Sequence, residues 1–110
     1  MLSAPFGCTR MIDLPKALFG SRQNLATPAA IQALAAAQVA REDLLGRHFA
    51  GDWGDVDPDD GQENDRALDT GARILSAYVL PTGVRVWVMT EAASATGVRS
   101  ATTILLSTEY

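Results

Sequence analysis

Cysteine and histidine are each present once in the 110 residues, as Cys8 and His48. A lone cysteine excludes an intrachain disulfide and any multi-cysteine zinc site, and an unpaired thiol fits a reducing cytoplasm. No stretch approaches the roughly 18 consecutive apolar residues that a membrane-spanning helix needs. The N-terminus lacks the basic start and continuous apolar core of a signal peptide. Basic residues are sparse and scattered: nine Lys and Arg stand against thirteen Asp and Glu, for a net charge of −4. The lack of a basic stripe argues against direct sequence-independent binding of DNA or RNA. The acidity instead suits a partner protein with a basic surface. There is no Gly-rich phosphate loop, no serine nucleophile elbow and no histidine pair for zinc, so no cofactor and no metal are expected.

What is present is ordinary globular material. The apolar fraction is 47% and the charged fraction 20%, enough to fold. A chain of this length buries roughly two-thirds of its unfolded surface around one core. Pro5, Gly7, Pro15 and Gly20 divide residues 1–24 into short apolar runs. They leave room for one brief strand, at Thr9–Ile12 or Ala17–Phe19, within what reads as an N-terminal arm. Residues 25–110 read as a single α+β domain.

Three helices are expected first. Thr27-Pro28 supplies an N-cap hydroxyl and a first-position proline, and the alanine-rich run to Val39 favours helix, with Leu25, Ile31, Leu34 and Val39 as its apolar stripe. Arg41–His48 carries Glu42 and Asp43 in its first turn, where the helix dipole favours acids. After a loop at Asp52–Asp57, a third helix opens on Asp57-Pro58 and stops at Gly71. It is polar nearly all round, with only Ala67 and Leu68 to bury. From Arg73 the hydrophobic period changes to two. Ile74–Leu80, a turn at Pro81-Thr82-Gly83, Val84–Met89 and then Thr102–Leu106 predict an antiparallel meander of three, or with one more element four, strands. Its free edge could pair with a second copy, making a homo-oligomer.

Asp52, Asp55, Asp57, Asp59, Asp60, Glu63 and Asp65 place seven carboxylates in fourteen residues with no base among them. One reading is a capped helix start. A second is an interaction surface whose field engages Arg and Lys on a partner. A third, a calcium loop begun by Asp55, Asp57 and Asp59, fails where Asp60 replaces the sharp-turn glycine and Arg66 the closing glutamate.

His48 lies close in sequence to Asp52 and Asp55. A histidine oriented by a carboxylate is the minimal acid–base device, with Cys8 or Ser76 available as nucleophile. A histidine at a helix C-terminus is more often a capping or packing residue. Trp53, between Gly51 and Gly54, reads as a plug closing the core, its indole N–H bonded to Asp52 or Asp55.

The run Leu44-Leu-Gly-Arg-His48, Gly51-Asp-Trp-Gly-Asp55, Asn64-Asp65 and Gly71-Ala-Arg-Ile-Leu-Ser-Ala-Tyr78 resembles a family of short bacterial plasmid-related proteins, some bearing a restriction-modification label. The likeness extends from Thr27-Pro-Ala-Ala through Val86-Trp87 and Thr90-Glu91-Ala92 to Thr102-Thr-Ile-Leu-Leu106 and Glu109-Tyr110. It implies a mobile-element or phage neighbourhood and no particular reaction. The expectation is therefore a non-enzymatic, cytoplasmic interaction protein, an inhibitor of a host defence system of the CRISPR or restriction type. Two alternatives stand beside it: a small hydrolase or metal-dependent enzyme using His48 with Asp52 or Asp55, and a structural or regulatory subunit.

Overall fold

The computed structural model describes residues 17–110. Strand β1 (Gln23–Ala26) is followed by helices α1 (Pro28–Ala37), α2 (Arg41–Phe49) and α3 (Pro58–Thr70). Strands β2 (Ile74–Val79), β3 (Arg85–Thr90) and β4 (Ala101–Leu106) and a 3₁₀ turn (Ser107–Glu109) complete the α+β order.

The helix boundaries follow their sequence signals except at the end of α1, which stops at Ala37, short of the expected Val39, where Gln38 turns into the left-handed region (φ 58°). The Thr27 hydroxyl accepts from the Ala30 N–H at 3.1 Å, with Pro28 at the first helical position. Asp57 and Pro58 open α3 and Gly71 closes it in the left-handed region (φ 82°), although the Asp57 side chain makes no capping bond. The buried side of α1 is Ala30 and Leu34, while Ile31 and Leu25 stay exposed. In α3 the buried positions are Ala67 and Asn64, with Leu68 only half-buried.

The sheet departs from the expected antiparallel meander. It has four strands in the order β1-β4-β3-β2, and β1 runs parallel to β4, with Gln23 opposite Ala101 and Ala26 opposite Ile104. The extra strand is not at Ala17–Phe19, which forms none, and Thr9–Ile12 lies outside the described residues. A four-residue strand with two amide side chains has no period to read, and its partner is at the far end of the chain, so no local signal could announce the pairing.

One face of the sheet carries the core. Val86, Val88, Ile104 and Tyr78 pack against Ala30 and Leu34 of α1 and Leu44 and Leu45 of α2. A second cluster joins Ile74 to Ala67 of α3 and to Trp53, with Phe19 and Val56 beside it. The β2 edge is already occupied at two points. The Asn64 amide donates to the Leu75 carbonyl (2.8 Å) and accepts from the Leu75 N–H (3.2 Å). At Ala77, the N–H donates to the Trp53 carbonyl and the carbonyl accepts from the Asp55 N–H. Filling an edge in this way blocks pairing with another chain at those residues.

Candidate functional site

Each residue of the His48–Asp55 run has an intramolecular task. His48 stands in the last turn of α2 and points into the sheet, fully buried. Its Nδ1 is 2.5 Å from Ser76 Oγ on β2 and its Nε2 is 2.8 Å from Thr90 Oγ1 on β3. Phe19, Phe49 and Trp53 surround the imidazole, with ring centroids 5.1, 5.6 and 5.9 Å away. Burial, helped by the positive charge of Arg99, pushes the His48 pKa down to about 3. The ring is therefore neutral at physiological pH.

The hydrogen bonds continue past the imidazole. Thr90 Oγ1 is 2.7 Å from Thr102 Oγ1, which is 2.8 Å from Ser21 Oγ. Ser21 Oγ donates onward, its single proton shared between the Gln23 carbonyl (3.1 Å) and Asn24 Oδ1 (3.2 Å). Since each hydroxyl owns one proton, one arrangement satisfies every bond. Ser21 donates outward, Thr102 donates to Ser21, Thr90 donates to Thr102, and His48 donates from Nε2 to Thr90. Ser76 then donates to Nδ1. The acceptors beside β1 thus select the Nε2–H tautomer of a histidine two strands away.

Beyond α2 the backbone turns at Gly51 (φ 89°) and Asp52 faces back. Asp52 takes a 2.7 Å ion pair from Arg47 Nε and a bond from the Gly54 N–H. The Arg47 hydrogen bond holds the Asp52 carboxyl below its ordinary range. The Asp52 carbonyl accepts from the Tyr78 hydroxyl at 2.6 Å, and the Arg47 guanidinium lies 4.5 Å over the Tyr78 ring. Burial pushes the Tyr78 pKa up to about 12, so it remains a donor. Trp53 is a buried plug as expected, but its indole N–H donates to Asp65 (3.0 Å), not to Asp52 or Asp55. Gly54 sits in the left-handed region (φ 73°), where a Cβ would stand 2.1 Å from the Ala77 carbonyl and 2.6 Å from the Tyr78 ring. Asp55 forms a 2.7 Å ion pair with Arg85.

The structure does not bring His48 against either of the aspartates proposed to orient it. Its partners are hydroxyls on two strands, and Asp52 and Asp55 are each turned onto an arginine. The His48–Ser76 pair, which has the atoms of a base and a nucleophile, is sealed from solvent on both members, so a substrate has no access to either atom in this conformation. What the arrangement does chemically is tie α2 to the middle of the sheet by satisfying four buried polar groups.

The seven carboxylates separate into two groups. Asp52, Asp55 and Glu63 are ion-paired, with Arg47, Arg85 and Arg66, and Asp65 holds the Trp53 indole. Asp57, Asp59 and Asp60, at the start of α3, are exposed and have no ion pair among the described residues. Asp55, Asp57 and Asp59 do not converge, and among the described residues no three Asp, Glu, His or Cys side chains are grouped as a metal site requires. Cys8 lies outside the described residues.

Three participants had no signal in the sequence. Phe19 and Ser21, from the segment read as an arm, complete the histidine's surroundings. Arg99, buried in the loop before β4, donates to the carbonyls of Ala67, Ala72 and Glu91. It thereby caps the negative C-terminal end of α3, and burial lowers its own pKa. An isolated arginine in a Ser/Thr/Gly loop looks solvent-exposed until the fold closes over it. Compared with family models, curated proteins and solved structures, the chain shows no match.

Proposed function

We propose that this chain is a non-enzymatic acidic interaction protein that engages a basic surface on another protein. The observation that carries the reading is the fate of the acidic segment. Once the internally engaged carboxylates are set aside, Asp57, Asp59 and Asp60 remain together, exposed and without ion pairs among the described residues. The first turn of α3 stabilises them through its dipole, so they persist without a counter-ion and are free to offer charge outward. The net charge of −4 points the same way.

The family likeness motivates the choice of partner. In a mobile-element or phage setting, a host defence protein that holds nucleic acid in a basic groove presents the required surface. An acidic protein occupying that groove acts as an inhibitor by excluding the nucleic acid. The corresponding experiment joins two readouts in a bacterial host: capture of partners by the tagged chain, and phage or plasmid entry with and without its expression. Salt-sensitive capture of one defence protein, together with a rise in entry that is lost in Asp57→Asn/Asp59→Asn/Asp60→Asn, is the expected result. Unchanged entry with no salt-sensitive partner would sink the reading.

A further inference from the structure

The face of the sheet turned away from the helices has no comparable cover among the described elements. On β3, Val86, Val88 and Thr90 are buried against the helical side, so Arg85, Trp87 and Met89 point to the opposite face. The strand register puts Leu75, Ala77 and Val79 of β2 beside them, and Thr103 and Leu105 of β4 on the other flank. Strands apolar on both faces are characteristic of sheets covered on both sides. Here both core clusters draw their strand residues from the helical side alone. On the other side Tyr110 rests edge-on against Trp87, with ring centroids 4.9 Å apart. Tyr110 and Val79 are themselves 60% and 52% exposed, Leu75, Trp87 and Met89 are half-buried, and Ala77 and Leu105 between them are buried.

The rim of this face specifies the chemistry of what covers it. Small Ala77 lies opposite Trp87 across β2 and β3. The space leads into a cleft of about 210 Å³ lined by Leu75, Ala77, Trp87, Arg85 and the carboxylates Asp55, Asp57 and Asp60. Arg85 neutralises Asp55, which leaves Asp57 and Asp60 beside the indole. An aromatic floor whose marginal carboxylates have no ion pair among the described residues complements a basic side chain whose aliphatic stem lies on the indole and whose head meets the acids. The face measures about 19 by 20 Å from strand spacing and rise, or roughly 400 Å². That is about half of what each partner contributes to a stable protein–protein interface, and a symmetric pairing would also oppose the acidic rims of two like-charged chains. A footprint about 20 Å long matches an amphipathic helix of roughly 13 residues.

We infer that this sheet face is the docking surface for a basic amphipathic helix of the partner protein, with apolar side chains on Trp87, Met89 and Leu75 and a flanking arginine or lysine at Asp57 and Asp60. The inference rests on the reading of the chain as an acidic interaction protein and locates its contact.

The experiment uses the full chain, ¹⁵N-labelled, titrated with a synthetic 13-residue helix bearing a leucine face bordered by arginines. A second helix with glutamates in place of the arginines serves as control. Shifts confined to β2–β4 residues of the open face, including the Trp87 indole, are expected with the arginine peptide and not with the glutamate one. Met89→Lys should weaken binding about tenfold or more, and Asp57→Asn/Asp60→Asn about fivefold with a reduced salt dependence. Unchanged thermal unfolding of both variants shows that the loss is local. Several results overturn the inference. Binding that depends on the aspartates but not on Met89 removes the sheet face and leaves the acidic reading intact. Failure of the arginine peptide to bind at millimolar concentration removes the docking surface, while captured partners and phage entry still decide the broader function. A dimer in full-length protein that Met89→Lys dissociates makes a second copy the occupant. A Trp87 indole signal untouched by a soluble paramagnetic agent in the monomer makes the chain itself the cover.

Discussion

His48 Nδ1 lies 2.5 Å from the Ser76 hydroxyl oxygen, and neither side chain has any surface open to solvent. In a hydrolase the same two groups would face a cleft, with a carboxylate behind the second ring nitrogen. Here the second nitrogen meets Thr90, and the hydroxyl chain runs on through Thr102 to Ser21. The pair acts as a clasp between helix and sheet. Its worth to the fold depends on the imidazole staying neutral, which makes it sensitive to acid.

A pH dependence follows with a definite sign. The folded-state pKa of about 3 lies below the 6.5 of an exposed histidine, so unfolding takes up a proton. The stability is complete above about pH 6.5 and falls as pH falls, by about 2 kcal/mol at pH 5, and this source of loss ends near pH 3. Asp52, held low by Arg47, contributes above its unfolded value and is lost only as pH drops further, below about 4. Urea unfolding at pH 7, 6 and 5 checks this, and equal midpoints at constant slope would contradict it.

Thr90 is the link on which the proton arrangement turns. Thr90→Val keeps the shape but leaves the His48 Nε2–H buried without an acceptor, at a cost of about 1–3 kcal/mol. Thr90→Ser keeps both bonds and should recover much of that stability. In the unmodified protein, ring ¹⁵N shifts should report a neutral histidine protonated at Nε2 down to about pH 4. An Nδ1–H pattern would refute the deduced direction of the chain.

Gly54 and Gly51 both have positive φ, yet their substitutions should differ. At Gly54 a Cβ meets the Ala77 carbonyl at 2.1 Å and a packed ring, which cannot withdraw without breaking the bonds at the β2 edge. At Gly51 the nearest atom, at 2.9 Å, is the flexible tip of Leu18. Gly51→Ala should cost about 1–2 kcal/mol for backbone conformation alone, and Gly54→Ala about 3 kcal/mol or more once overpacking is added. Thermal unfolding of the two variants measures the gap, and equal losses would mean that the close approach at Ala77 carries no weight.

Asn64 replaces a neighbouring strand at Leu75, one amide giving and receiving what a peptide group would. Asn64→Asp keeps the acceptor but sets a carboxylate against the Leu75 carbonyl. The variant should be less stable than its parent by about 2 kcal/mol at pH 7. It should recover part of the difference near pH 4, where the protonated acid again donates. Denaturant midpoints at the two pH values give the test, and a deficit that stays constant would show that the Leu75 carbonyl needs no donor.

The helical half was legible because its signals are local. Thr27-Pro28, Asp57-Pro58 and Gly71 mark boundaries by backbone chemistry that acts over a few residues. The buried tryptophan was readable too, since a loop tryptophan flanked by glycines has little else to do than fill space. Its partner was not. Asp65 reaches the indole because α3 folds back over the loop, and nothing in the spacing distinguishes Asp65 from Asp52 or Asp55 as acceptor. The fate of each carboxylate depended in the same way on which arginine the fold delivered to it.

By itself, then, the sequence determined the class of fold, the helix starts, the two long hairpin strands and the acidity of the segment after α2, all of which rest on propensity, period or charge within a short window. Only the tertiary structure decided that β1 joins the sheet parallel to β4, that His48 faces Ser76 and Thr90, and that Asp57, Asp59 and Asp60 have no ion pair among the described residues while their neighbours are paired. Those outcomes join residues distant in the chain, and the joining is done by burial of the whole core. The His48–Ser76 clasp is one of its products: α2 and β2 each carry a side chain that must find a hydrogen bond once water is gone, and the packed sheet places them within reach of one another.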